Sequence, residues 1–281
     1  MAGQVPALVQ PPILDPTKLF PEAGNSLLVA GQALATWVGV FELPLPPALD
    51  AGVTHDMDFL GDKEAAMLHH RLLEGRYERV ELLLPKFGDI TPNTAKILVY
   101  GDDRKAIAAE IDYLGSLCGY QLEEEDQLKR RAIAIEFPGF DKPVLIRVMH
   151  PFDCLKSRVH NLTTLTSKQN IRGVAQAKLA IDVQRAYFRQ VLDTIGADLR
   201  QLVYPMAEAV IDLACSKDGV RAFHEFGVDA MAALEVHRFP AVFQERRWPK
   251  AEEQVTRRRY GRNGKKSLPA LRDLTPAQRM A

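Results

Sequence analysis

Short apolar runs alternate with helically spaced apolar residues over the first 150 positions. Apolar runs bounded by glycine or polar residues predict strands, and they occupy residues 27–30, 57–60, 80–84, 95–100, 131–137 and 144–149. Apolar residues three and four apart predict helices over residues 33–41, 62–74 and 103–117. A proline- and glycine-rich turn between the last two strands predicts a hairpin. This half of the chain is therefore expected to be a mixed α/β domain.

Long helical patterns dominate after Pro151. They cover residues 153–165, 172–195, 198–213 and 220–236. The pattern predicts an α+β protein with four segments: an irregular, proline-rich lead-in at 1–25, a small mixed sheet with flanking helices at 26–150, a helical domain at 151–245, and a basic, flexible tail at 246–281.

Composition places the chain among ordinary globular proteins. It has 281 residues, of which 47% are hydrophobic and 26% are charged. The three cysteines stand far apart, which favours reduced thiols in a cytoplasmic protein. No export signal is visible, and the longest apolar stretch, residues 27–41, is too short and interrupted to span a bilayer. A soluble, cytoplasmic protein without a membrane partner is expected.

Charge is distributed unevenly although the formal net charge is zero. Residues 246–281 hold 11 Lys or Arg against 3 acidic residues, which gives +8, so residues 1–245 carry −8. A solvated, flexible end is the favoured interpretation, and contact with nucleic acid is the alternative.

Two short motifs carry candidate chemistry. Gly31 and Gln32 lie at a predicted strand-to-helix turn, where backbone N–H groups and the positive end of a helix can hold a phosphate. Asp56 and Asp58 are two residues apart at a predicted strand, so they face the same side of a sheet. Paired carboxylates suit Mg²⁺, which phosphoryl transfer needs. Taken alone, each motif is more often structural: a simple turn or a solvated acidic pair.

The order of these motifs resembles the nucleotidyltransferase superfamily. Residues 30–37 and 54–60 are similar to the corresponding segments of AbiEii-type and related uncharacterised bacterial nucleotidyltransferases, and residues 150–162 resemble the start of their helical part. The resemblance implies phosphate contact for Gly31 and Gln32 and metal ligation for Asp56 and Asp58. It also implies a nucleoside triphosphate substrate and a possible toxin–antitoxin or phage-defence setting with a cognate antitoxin-like partner.

Two departures from that family concern the site. Gln32 stands where the family has glycine or serine. The third carboxylate is expected on a later strand beside the acidic pair, and the strand predicted at that place, residues 144–149, carries Arg147 there. Glu136 on the partner strand is the nearby acid that could substitute. Arg147 is either a fixed cation facing the aspartates in a degenerate site or an exposed strand residue.

The helical segment adds three basic candidates for nucleotide contact. These are Lys156, Arg158 and Lys168. Solvated helix surface is the more common explanation for such residues.

Three functions remain open from the sequence. The first is an Mg²⁺-dependent nucleotidyltransferase acting on RNA, protein or a small molecule, with Glu136 helping to deprotonate the acceptor. The second is a catalytically degenerate binding module of the same fold, motivated by Arg147 and Gln32. The third is a nucleic-acid-binding protein that uses the basic tail.

Overall fold

The computed structural model describes residues 19–21, 26–49, 52–53, 56–101, 106–137, 142–194 and 200–261. The chain divides into two compact units, each described here by itself. The first comprises Met1–Ala33 and Thr54–Met149, and the second comprises Leu34–Val53 and His150–Ala281. The second unit thus takes in residues 34–53, which the sequence analysis assigned to the α/β domain.

A seven-stranded mixed sheet forms the first unit. Its strands are β1 (Leu27–Val29), β2 (Met57–Leu60), β3 (Val80–Leu83), β4 (Asn93–Tyr100), β5 (Ile107–Leu114), β6 (Ile133–Phe137) and β7 (Val144–Val148). They lie in the order β3-β4-β5-β2-β1-β7-β6. The β2–β5 and β1–β7 pairs are parallel and the other four are antiparallel. The predicted α+β class and the β6–β7 hairpin pairing are confirmed.

Side chains alternate across this sheet, so its two faces differ in character. One face carries the large buried side chains of Phe59, Ile111 and Tyr113, none of which is exposed to solvent. Helix α2 (Lys63–Glu74) lies against strands β3 and β4, and it begins where the predicted N-cap, Asp62, accepts a hydrogen bond from the Ala65 N–H at 2.8 Å. The other face carries the charged residues described below.

The helix predicted over residues 103–117 is wrong, because the described part of that segment contains strand β5. Ile107, Ile111 and Leu114 have helical spacing, and that spacing dominated the prediction. Residues 109–113 also alternate between small or apolar and acidic positions, which is the strand period. The pairing of β5 with both β2 and β4 decides between the two periods. An additional helix, α3 (Leu122–Arg131), follows the strand.

The second unit is helical, as predicted. Helix α1 (Ala30–Val40) begins in the first unit and continues into this one. The others are α4 (Pro151–Thr164), α5 (Ile171–Thr194), α6 (Arg200–Cys215), α7 (Lys217–Phe226) and α8 (Trp248–Tyr260). The helix predicted over residues 220–236 ends early because Gly227 adopts a left-handed conformation (φ 64°), which terminates α7. Among the described residues, no helix combines the length and apolar character needed to cross a membrane.

Much of the predicted flexible tail is folded. Residues 248–260 form α8, and Arg259 fixes the end of that helix. Its guanidinium makes a two-pronged ion pair with Asp229 and stacks over the Phe223 ring at 3.9 Å. Only 8% of the Arg259 side chain is exposed. Residues 262–281 of the tail lie outside the described residues.

A series of buried hydrogen bonds connects Leu19, His69, Tyr113 and Ser26. The Leu19 carbonyl can only accept, so His69 Nε2 carries the proton and donates to it at 2.7 Å. Nδ1 then accepts from the Tyr113 hydroxyl at 2.9 Å, and Ser26 Oγ donates to Tyr113 at 3.4 Å. Neutral imidazole therefore satisfies both neighbours, and burial lowers the pKa of His69 to about 4.

We expect this histidine to make stability dependent on pH. The unfolded side chain binds a proton near pH 6.5 and the folded one near pH 4, so the unfolded state binds more protons between those values. The contribution is complete above pH 6.5 and is lost as the pH falls towards 4, at about 1.4 kcal/mol per unit of pKa shift, or about 3 kcal/mol in total. Urea unfolding from pH 4 to pH 7.5 measures it. His69→Gln should show a flatter curve than the wild type; parallel curves would contradict the assignment.

We also expect Arg259→Met to destabilise the second unit by about 2 kcal/mol. The substitution leaves the Asp229 carboxylate without its cation and removes the contact with the Phe223 ring. Arg257→Met is the matched control, because Arg257 is exposed on the same helix, and it should change stability by less than about 0.5 kcal/mol. Chemical denaturation checks both. Equal losses of stability in the two variants would show that the stability of α8 depends on its overall charge and not on the Arg259–Asp229 pair.

Candidate functional site

Helix α1 begins directly after β1, so the backbone N–H groups of its first turn lie at the end of that strand. Gly31 and Gln32 lie in the first turn of α1, where the N–H groups have no carbonyl partner within the helix. Such N–H groups and the helix dipole together favour an anion. Ala30 adopts φ 55°, a left-handed conformation that is unusual for a residue with a side chain. Backbone strain of this kind concentrates at functional sites.

Strand pairing places this turn beside the acidic motif. Val29, the last residue of β1, pairs with Asp58 on β2. The side chains of Asp58 and Leu60 share one face of the sheet, and Asp56 lies just before β2, close enough for its charge to act on Asp112 of β5. Asp58 is half-buried and Asp56 is exposed. The first turn of α1 and the aspartate pair are thus brought together by adjacent strands of the first unit.

A third carboxylate lies next to this pair on β5. Asp112 is the register partner of Asp58 in the parallel β2–β5 ladder, so both side chains leave the same face about 5 Å apart at their backbones. The sequence analysis missed Asp112 because it assigned this segment to a helix. Its alternation with buried Ile111 and Tyr113 was the available signal.

Asp112 has an electrostatically mixed environment. Asn93 Nδ2 donates to its Oδ1 at 2.8 Å, and Lys96 Nζ lies 3.4 Å from the same oxygen. Burial of the carboxyl raises the pKa of Asp112 above its usual value, the charges of Asp56 and Glu110 add to that rise, and Lys96 offsets part of it. A carboxylate of raised pKa suits proton transfer.

Arg147 and Glu136 do not occupy the place expected of the third acid. The strand next to β2 is β5, whereas β7 pairs with β1, so Arg147 lies two strands from β2, about 10 Å across the sheet. Its guanidinium donates to the Lys129 carbonyl. Glu136 lies on edge strand β6, three strands from β2, or about 14 Å away before any offset along the strands. The structure therefore supports neither Arg147 as a cation that replaces the metal at the aspartates nor Glu136 as a base there.

Arg147 instead borders a separate cavity of about 490 Å³ in the first unit. The lining residues are Leu60, Gly61, Asp62, Thr94, Gly115, Lys129 and Arg147. This cavity lies at the carboxyl end of β2, beyond Leu60, whereas Asp56 lies at the opposite end of that strand.

The remaining candidates have different surroundings. Gln32 is half-buried in the first turn of α1. Arg158 is buried on α4, where Nη1 donates to Gln176 Oε1 of α5 at 3.4 Å, so it contributes to packing between these helices. Lys156 is half-buried on the same helix, and Lys168 is exposed in a short 3₁₀ turn. All three basic residues belong to the second unit, and nucleotide contact by them stays a prediction.

The donor set of the first unit fits a hard divalent cation. Among the described residues, no three His, Cys, Asp or Glu side chains converge closely enough to enclose a metal ion by themselves. Mg²⁺ seldom needs such a cage, because it usually retains waters and binds through one or two carboxylates together with substrate phosphates. Asp56 and Asp58 are the carboxylates that could supply such ligands, and the first turn of α1 directly follows Val29, the residue paired with Asp58.

Comparisons with family models, with curated proteins and with solved structures found no match to this chain.

The strained turn generates a prediction of its own. Replacing Ala30 by glycine relieves the left-handed conformation, worth about 1–2 kcal/mol, at an entropic cost of about 0.5–1 kcal/mol. We expect Ala30→Gly to stabilise the protein by about 0.5–1 kcal/mol and Ala30→Val to destabilise it. Thermal unfolding distinguishes them. If Ala30→Gly instead destabilises the protein, packing of the Ala30 methyl group adds more to the free energy of unfolding than the strained backbone takes away.

Proposed function

We propose that this protein is an Mg²⁺-dependent nucleotidyltransferase that transfers a nucleotidyl group from a nucleoside triphosphate to an acceptor hydroxyl. The single observation that carries the proposal is the register of β2 with β5, which sets Asp112 beside Asp58. Asp56 precedes β2 and acts electrostatically on Asp112, so three carboxylates are near one another, next to a helix N-terminus suited to phosphate. The sequence resemblance to nucleotidyltransferases supports the same assignment, and it predicts such a fold for the first unit.

Each group has a separate role in the proposed reaction. The N–H groups of Gly31 and Gln32 bind a phosphate of the triphosphate, and Asp56 and Asp58 hold the cation. When bound, Mg²⁺ neutralises phosphate charge and helps to align the reactants. Asp112 accepts the proton of the acceptor hydroxyl. The acceptor oxygen then forms a bond to the α-phosphorus, and the bond from that phosphorus to the leaving oxygen breaks to release pyrophosphate.

The acceptor is RNA, protein or a small molecule, and a toxin–antitoxin or phage-defence role rests on the sequence resemblance alone. A catalytically degenerate binding module is the second candidate: Gln32 still favours it, whereas Arg147 lies two strands from β2. The tail hypothesis weakens. Residues 248–260 form a helix, and Arg247 and Arg259 are paired with Glu208 and Asp229.

Calorimetric titration with each of the four nucleoside triphosphates, with and without Mg²⁺, tests the proposal. We expect Mg²⁺-dependent binding of at least one triphosphate by the wild type and its loss in the Asp56→Ala/Asp58→Ala variant. Asp112→Asn should bind the same triphosphate within a few-fold, because it acts on the acceptor. It should transfer α-phosphate label to RNA or protein about 10²–10⁴ times more slowly.

Glu136→Gln is the matched control, since it removes an acid of the same sheet that lies three strands from β2. Its binding and transfer should equal those of the wild type. If no triphosphate binds to the wild type in the presence of Mg²⁺, the nucleotidyltransferase assignment fails.

A further inference from the structure

A bulge in β4 brings two donors to the same side of the sheet as Asp112. Lys96 is the register partner of Asp112 in the β4–β5 ladder. Asn93 and Lys96 are three residues apart, so in a regular strand their side chains would point to opposite faces. The ladder shifts between Asn93 and Ala95, where β4 advances two residues while β5 advances one. The extra residue, Thr94, turns Asn93 onto the face of Asp112.

The bulge is held firmly in place. Thr94 Oγ1 donates to the carbonyls of Gly61 and Tyr113, at 3.0 and 3.2 Å. The Gly115 N–H donates to the Pro92 carbonyl at 2.9 Å, and a Cβ at position 115 would come within 2.9 Å of the Thr94 methyl group. Glycine at position 115 therefore permits the close approach. Bulges that redirect one side chain are common beside active sites.

Both donors act on the same oxygen of Asp112. Asn93 Nδ2 and Lys96 Nζ approach Oδ1, and within the described part of the chain Oδ2 has no hydrogen-bond partner. Lys96 is closer to Glu110, at 2.8 Å, so its charge is shared between two carboxylates. Asn93 makes the shorter contact with Asp112 and carries no charge. The carboxylate cannot rotate without giving up these contacts.

We propose that Asn93 and Lys96 are positioning residues that hold Asp112 by Oδ1 and so present Oδ2 to the acceptor hydroxyl. This inference rests on the proposed nucleotidyltransferase function. Asn93 is the principal positioning residue, and Lys96 balances the charge of Glu110 and Asp112. In a purely structural role, the same contacts would only tie β4 to β5.

The test compares Asn93→Leu, Asp112→Asn and the double variant. General acid–base catalysis by a positioned side chain contributes about 10²–10⁴-fold in rate, so loss of a residue that only orients the base should cost less than that. For Asn93→Leu we expect transfer turnover to fall by about 10–100-fold. Triphosphate affinity in Mg²⁺ and the thermal unfolding midpoint should stay close to wild type.

The double variant separates positioning from structure. If Asn93 acts through Asp112, adding Asn93→Leu to Asp112→Asn should lower turnover by less than about twofold, because residues that act as a unit are not additive. Lys96→Arg should keep most of the turnover, since it retains the cation and N–H donors. Gln127→Leu, the same type of change at an exposed position of α3, should have no effect.

Two outcomes would overturn the inference while the proposed function stands. One is wild-type turnover in Asn93→Leu. The other is an Asn93→Leu effect that multiplies with that of Asp112→Asn, or that accompanies a large loss of thermal stability. Absence of Mg²⁺-dependent triphosphate binding in the wild type would instead reject the proposed function, and the inference with it.

Discussion

Parallel pairing between β2 and β5 is the constraint on which the rest of the first unit depends. It joins two strands that are distant in the chain and sets Asp58 opposite Asp112 on one face. The same register sets Phe59 opposite Tyr113 on the other face, where both rings are fully buried. A slip of one residue would exchange acids for aromatic rings. Burial of the rings therefore fixes the positions of the carboxylates, so the apolar face specifies the charged one.

Local patterns predicted those elements whose apolar spacing was unambiguous. Residues 57–60 and the cap at Asp62 could be read from the sequence because a short apolar strand and a capped helix have distinct periods. The secondary structure of residues 107–114 could not be assigned from the sequence, because isoleucines four apart fit a helix while residues 109–113 fit a strand. Only pairing with β2 and β4 distinguishes these, and pairing is a property of the whole sheet. With a helix predicted over this segment, Asp112 is not recognised as the neighbour of Asp58, and the sequence indicates Arg147 at that position instead.

The candidate site divides in the same way. Gly31, Asp56 and Asp58 belong to short local motifs, so the sequence predicted them. Asp112 depends on which strand neighbours β2. The direction of the Asn93 side chain depends in addition on one extra residue in β4, and no sequence pattern predicts the effect of that residue. Residues 246–260 differ from the prediction of a flexible tail for a related reason: their charge suggested solvation, whereas a tertiary partner, Asp229, receives Arg259.

Electrostatics and backbone geometry together explain why these groups can lie close to one another on the inner strands of the sheet. Neighbouring carboxylates repel each other, and the charges of Asp56 and Glu110 add to the rise in the pKa of Asp112 that burial causes. Lys96 offsets part of the charge, but it is shared with Glu110. A cation held by Asp56 and Asp58 would relieve the remainder, and the N–H groups of α1 would hold the anion that accompanies it. The strained Ala30 begins that helix directly after Val29, the residue paired with Asp58, so a single residue connects the first turn of α1 to the strand beside the aspartates.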